Sequence, residues 1–251
     1  MVSYRTEGAL AWATIDRPEK LNAMTAGFWG ELADVLARAQ ADPAIAVLLL
    51  SGAGPCFSVG GDFAALGSAR DLTTRRLFVS DALATLRAVD SFTKPTIAAL
   101  HGHALGAGCE LSMVCDIVVA DETLRIGLPE AQVGLLPSLG TVRGGAHVNL
   151  HRMKHMTLTG KVLDADEARV AGLVNRVTEP GEHATLAREI AATISRRAPL
   201  ALQIGKRFLN RAAQTAYGYG VEAGALMANS ADHEEGVAAF NERRQPRFQW
   251  D

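Results

Sequence analysis

The sequence predicts an α/β fold. Strand-like and helix-like segments alternate through the first two-thirds of the chain, and the strand-like ones are short and apolar. After about residue 182 the pattern turns almost wholly helical. Alternation of this kind argues for layers of sheet and helix rather than a bundle.

Leu10–Ile15 reads as a strand ending at the turn Asp16-Arg17-Pro18. Phe28, Leu32, Val35, Leu36 and Ala39 fall on one helical face. Pro43 follows that helix, and residues 45–50 form a fully apolar strand of the kind buried on both faces. Phe78, Ala82, Leu86 and Val89 mark a second amphipathic helix, and Thr96–Leu100 and residues 117–120 two more buried strands. A short strand-like piece spans 124–126. Asp164 with Glu167 resembles a capping box opening a short helix that ends at Gly172. Leu186, Ile190 and Ile194 share a later helical face, and Pro199 separates that helix from the next. A boundary near residue 195 divides the chain into a core, 1–195, and a helical C-terminal region, 196–251.

With 251 residues, 48% apolar and 21% charged, the chain can bury a globular core. A net charge of −2 gives no reason to expect nucleic acid or an anionic membrane as partner. No apolar run approaches the ~20 residues that span a bilayer, and the first residues carry no apolar signal core. A cytoplasmic location is the expectation. Cys56, Cys109 and Cys115 form no C-x-x-C pair and read as buried reduced thiols.

Two glycine-containing turns each follow a buried strand. The first is Cys56-Phe57-Ser58-Val59-Gly60-Gly61-Asp62-Phe63; the second is His101-Gly102-His103-Ala104-Leu105-Gly106-Ala107-Gly108-Cys109-Glu110. Small residues let a ligand approach the backbone closely. The second turn leads into a helix over 107–114, whose first N–H groups lack intrahelical partners. Each turn alone reads equally well as an ordinary tight turn. Gly52-x-Gly54 and Gly106-x-Gly108 both lack the third glycine of a dinucleotide loop, and Cys56 occupies the first glycine of a serine-hydrolase elbow. Glu110 sits one turn into the second turn's helix, and Glu130 follows Leu128-Pro129. A lone glutamate is usually a solvated surface group. Two in apolar, glycine-rich surroundings suggest an acid/base pair, one raised in pKa and one ionised.

With these residues the chain resembles the crotonase, or enoyl-CoA hydratase/isomerase, family. The similarity covers nearly the whole length. It includes Asp16-Arg17-Pro18-Glu19-Lys20-Leu21-Asn22-Ala23, then 57–62, 102–110, Cys115-Asp116-Ile117 and Leu128-Pro129-Glu130. Leu158-Thr159-Gly160, Ala171-Gly172-Leu173-Val174 and Ala239-Phe240-Asn241-Glu242-Arg243-Arg244 continue it in order. The resemblance implies a spiral of ββα turns with C-terminal helices, whose apolar faces such as Leu186/Ile190/Ile194 build a homotrimer, two of which commonly stack as a hexamer. It implies an acyl-CoA thioester as substrate, its oxygen bound by the backbone N–H groups of Gly61 and Ala107. It makes Glu110 and Glu130 the catalytic acids of a hydratase. Gly60, Asp62, Gly106 and Gly108 then belong to the substrate site, and Phe240 and Arg243 can help hold the CoA portion. No metal or redox cofactor is implied; coenzyme A enters as part of the substrate.

The chain departs from the family in three places. Ala107 stands where glycine is common, although a backbone donor tolerates a methyl group. The loop Pro137-Ser138-Leu139-Gly140-Thr141 is one residue short, and Gly144-Gly145 follow where bulkier residues are usual. In the family this loop borders the acyl pocket, so acyl preference is left open. Hydration leads; double-bond isomerisation or thioester hydrolysis on the same platform comes second, and a silent acyl-CoA-binding subunit third. Retention of Glu110 favours hydration, because family isomerases often rely on the acid at the Glu130 position alone.

Other features read as structural. His147, His151 and His155 have helical spacing, but no carboxylate completes a metal set. His101 and His103 read as packing residues. Arg243, Arg244 and Arg247 form a basic C-terminal patch beside Phe240, Phe248 and Trp250.

Overall fold

Each central strand is apolar over most of its length because both of its faces are covered. On β3 (Val47–Gly52), Leu48 and Leu50 join one hydrophobic core and Val47 and Leu49 the other. On β4 (Thr96–Leu100), Ala98 and Leu100 face the first core, and Ile97 and Ala99 the second. Successive side chains point to opposite faces, so a strand sandwiched between layers shows no polar alternation. The computed structural model describes residues 1–62, 72–210, 221, 224, 225 and 227–246. Phe63, Arg247, Phe248 and Trp250 lie outside them.

The main sheet has six strands. β1 (Val2–Glu7) pairs antiparallel with β2 (Leu10–Ile15). Parallel pairs then run from β2 through β3 and β4 to β6 (Ile117–Asp121) and β9 (Arg176–Thr178). A smaller sheet joins β5 (His103–Leu105), β7 (Arg125–Gly127) and β8 (Val162–Asp164). On the first face lie α1 (Ala26–Ala41) and α2 (Leu72–Asp90). The second face is covered by α7 (His183–Ile194).

Between these come α3 (Ala107–Met113), α4 (Gly140–Arg143), α5 (Leu150–Thr159) and α6 (Ala165–Ala171). The C-terminal region contains α8 (Pro199–Leu209) and α9 (Ala231–Glu242). The Asp164–Glu167 capping box has both of its hydrogen bonds, and Gly172 ends α6 at φ 89°. Among the described residues no helix is long and apolar enough to cross a membrane.

The sequence placed the strand at 45–50; it occupies Val47–Gly52, because Ile45 and Ala46 belong to the approach turn, where the Ala46 amide donates to Ala9. The Leu186/Ile190/Ile194 face, read as an assembly surface, instead packs within the chain on the second core against Leu10, Trp12 and Ile97. Amphipathicity marks a buried face without saying what buries it. The exposed apolar stripe is on α8, where Leu200, Ile204 and Phe208 recur every fourth residue.

Candidate active site

The two glycine turns are stitched together by backbone hydrogen bonds. Ser58 donates to His103 at 2.8 Å, and Leu105 donates back to Ser58 at 3.0 Å. Their close approach requires glycine. A Cβ on Gly60, which sits at φ +97°, would lie 2.7 Å from the Leu105 oxygen; one on Gly108 would lie 2.8 Å from the Ser58 oxygen. Gly108 therefore serves as the contact point between α3 and the first turn.

Asn22 ties this pair to the N-terminal segment. Its side-chain amide donates to the carbonyls of Ala53 and Cys56, each at 2.8 Å, and its own carbonyl accepts from Ser58 Oγ at 2.8 Å. Arg17 bonds Asp62 at 2.7 Å, so Asp62 is held in an ion pair at the end of the turn.

The two backbone amides singled out in the sequence both line one cavity, of about 1580 Å³. At the first turn, Met24 donates to the Gly60 carbonyl and accepts from the Asp62 amide, each at 2.8 Å. Those flanking groups face Met24, so the intervening Gly61 amide points the other way. Ala107 opens α3, whose first helical bond runs from Glu110 back to Gly106 at 2.9 Å, so the Ala107 amide precedes the helical ladder.

Pairing of Leu105 with Gly127 between β5 and β7 brings the following segment, Leu128-Pro129-Glu130, beside Gly106. The Glu130 carboxyl reaches the turn: its Oε1 lies 3.2 Å from where a Gly106 Cβ would be, and its buried Oε2 has no hydrogen-bond partner among the described residues. Glu110 is buried and also lines the cavity. Its Oε1 accepts from the amides of Leu139 and Gly140 at 2.8 and 3.0 Å.

The two carboxyls are thus unlike. Burial pushes both pKa values up. For Glu110 the Gly140 and Leu139 amides oppose that rise. For Glu130 the Glu110 charge adds to burial and holds the carboxyl well above the usual range. Glu130 is therefore the member whose carboxyl is pushed up further.

The linkage to stability has a definite sign. A carboxyl with a raised folded pKa contributes stability fully present below its unfolded value, near 4.5, and lost as pH rises through the folded one. Glu130→Gln should therefore raise the melting temperature at pH 8, with a gain that shrinks toward pH 4.5. Thermal unfolding at both pH values checks this; a gain that is equal at the two, or absent, contradicts it.

Phe240, 61% exposed, stands on the cavity wall. Arg243 does not line the cavity: it caps α9 in the left-handed region at φ 53°. Its neighbour Arg244 lines it instead, paired with Glu235 and Glu242 at 2.6 and 2.5 Å. The resemblance carried Arg243 over by its place in the motif, which does not show that the chain turns into the left-handed region just past α9. The Leu139 and Gly140 amides, Asn22 and Arg244 are site features that sequence reasoning missed. Asn22 and Arg244 stood in quoted motifs without a role, whereas the two amides leave no side-chain signal. His147 lies before α5, while His151 and His155 are exposed on it; no metal-binding group of three ligands occurs among the described residues. All three cysteines are free and buried.

Comparison with known proteins identifies the family. The model of the enoyl-CoA hydratase/isomerase family matches residues 5–250. A probable enoyl-CoA hydratase of Mycobacterium tuberculosis is 35% identical over 94% of this chain and 92% of its own length. The short-chain-enoyl-CoA hydratase of Clostridium acetobutylicum is 34% identical over 97% and 95%. Among solved structures, an enoyl-CoA hydratase/isomerase from Xanthobacter autotrophicus superposes with a TM-score of 0.88 at 29% identity, covering 96% of this chain and 93% of that one. With sequence, fold and the order of its motifs in agreement, the chain belongs to the enoyl-CoA hydratase/isomerase family.

Proposed function

We propose that the protein is an enoyl-CoA hydratase, adding water across the double bond of a 2-enoyl-CoA to give a 3-hydroxyacyl-CoA. The observation that carries this reading is the meeting of two unlike buried carboxyls, Glu110 and Glu130, on the wall of a cavity that Gly61 and Ala107 also line.

Addition of water builds negative charge on the thioester oxygen. Two fixed N–H donors strengthen as that charge grows, so they favour the transition state over the ground state. The amides of Gly61 and Ala107 fill that role, and Gly60 and Gly106 let the backbone approach. Glu110, aimed by two amides and the less raised of the pair, holds the water and takes its proton as oxygen bonds to Cβ. Glu130, kept protonated, delivers a proton to Cα. The proton gained at Glu110 is lost to solvent and the one given by Glu130 is replaced from it, so both acids are restored with no electron transferred, and the chemistry calls for no redox group. Coenzyme A arrives with the substrate, and Phe240 contributes to its binding. Because Glu130 must be protonated, hydration should fall as pH rises through its raised pKa.

The test is loss of the conjugated-thioester absorbance with crotonyl-CoA. Steady loss in proportion to enzyme supports the reading; no loss at micromolar enzyme removes it. The protein also assembles, in this proposal, as a homotrimer or a hexamer through the C-terminal region, 196–251. The exposed stripe Leu200, Ile204 and Phe208 supports this, since an apolar helix face left in water favours a closed symmetric contact. Light scattering should give three or six times the chain mass, and Phe208→Glu should shift it toward monomer. A monomer at micromolar concentration refutes the assembly.

A further inference from the structure

Glu110 is the inner end of a chain of buried contacts that leaves the cavity. Its carboxylate is held by the Leu139 and Gly140 amides. The carbonyl of that same Leu139 accepts from the Arg143 amide at 2.8 Å, closing the turn that forms α4. The Arg143 guanidinium then donates to Asp90, the last residue of α2, at 2.8 Å. The two side chains are 7% and 1% exposed, and neither lines the cavity. Asn210, just past α8, donates to the Asp90 carbonyl at 2.8 Å and fixes that end from the far side.

We propose that Asp90 and Arg143 are positioning residues, whose buried ion pair anchors the short 137–141 turn so that its two amides aim the Glu110 carboxylate. The inference rests on the role given to Glu110 above.

Three features favour aim over simple support. A buried ion pair is poor at stabilising a fold, since an apolar pair of similar volume often does as well or better. What the pair does supply is a directed attachment, and it acts on the turn that binds the acid. The turn also has little slack. Gly140 packs directly on Leu128, where a Cβ would lie 2.7 Å from Cδ1. Leu128 is two residues before Glu130, so a shift of the turn disturbs both acids. The groups that set the Glu110 ionisation are burial, these two amides and the coupled Glu130; Cys109 sits beside it on α3. The anchor therefore acts through the amides rather than through the guanidinium charge.

The test is the double variant Asp90→Leu/Arg143→Met in the full-length protein, which removes both charges at once, so neither member of the pair is left buried without the other. Two readouts are taken: kcat and KM with crotonyl-CoA, and the titration of the Glu110 carboxyl by ¹³C NMR, assigned with Glu110→Gln. The expected result is kcat down roughly 10- to 10²-fold with KM nearly unchanged. The Glu110 carboxyl should titrate at higher pH, because loosened amides favour the carboxylate less. A Glu110 titration that does not move overturns the proposal, whatever happens to rate or melting temperature. Unchanged kcat in an enzyme that hydrates overturns it equally. A moved titration in a protein that does not hydrate supports the anchor and removes the hydratase reading instead. Should the double variant not fold, Arg143→Lys supplies the same two readouts.

Discussion

Glu110→Gln and Glu130→Gln should each lower the hydration rate by roughly 10²-fold or more. Gln keeps the shape of Glu but cannot exchange a proton in the same way. The two losses have different origins. At Glu110 an amide group would face the Leu139 and Gly140 donors, so its carbonyl can accept from them while the base is gone. At Glu130 the missing group is the proton itself, held there by burial and by the charge on Glu110. Both acids serve one transition state, so the double variant should lose much less than the product of the single losses. Affinity for the CoA portion should change little. Steady-state kinetics on the three variants checks this. Full activity in Glu110→Gln beside a dead Glu130→Gln would replace the two-acid account with a single-acid isomerase.

Gly61→Pro should have an effect of similar size. Proline removes the N–H assigned to the thioester oxygen, and losing one such donor raises the barrier by ~3–4 kcal/mol, on the order of 10²–10³-fold in rate. The bonds that hold this segment use the Gly60 carbonyl and the Asp62 amide, both of which proline leaves in place. A folded variant should therefore retain its circular dichroism and melting behaviour while turnover collapses. Near-normal turnover in such a variant would exclude this amide from the reaction.

The legible parts of this fold are those where a local rule and the tertiary structure agree. β2 and β4 fall at the residues expected, since a strand covered on both faces is apolar over most of its length. The capping box of α6 is a contact within four residues and was readable in full. The Leu186 face shows where legibility ends: its burial was correctly expected, its partner was not. The acids Glu110 and Glu130 were readable as a pair because motif order placed them on one site, and the structure brings both to the same cavity. That the two would differ was read from the sequence; which of them is pushed up further was not. The difference arises from the amides of Leu139 and Gly140, 29 and 30 residues from Glu110. The Asp90–Arg143 pair spans 53 residues and belongs to no periodic pattern. Contacts of that kind are set by how elements pack, which a linear spacing does not encode.

The central claim is that water adds at Cβ while a proton is delivered to Cα. Incubating crotonyl-CoA with the enzyme in D₂O and reading the product by NMR tests it most directly. The account predicts 3-hydroxybutyryl-CoA carrying one deuterium at Cα. Recovery of a shifted double bond, release of free coenzyme A, or unchanged crotonyl-CoA would contradict it.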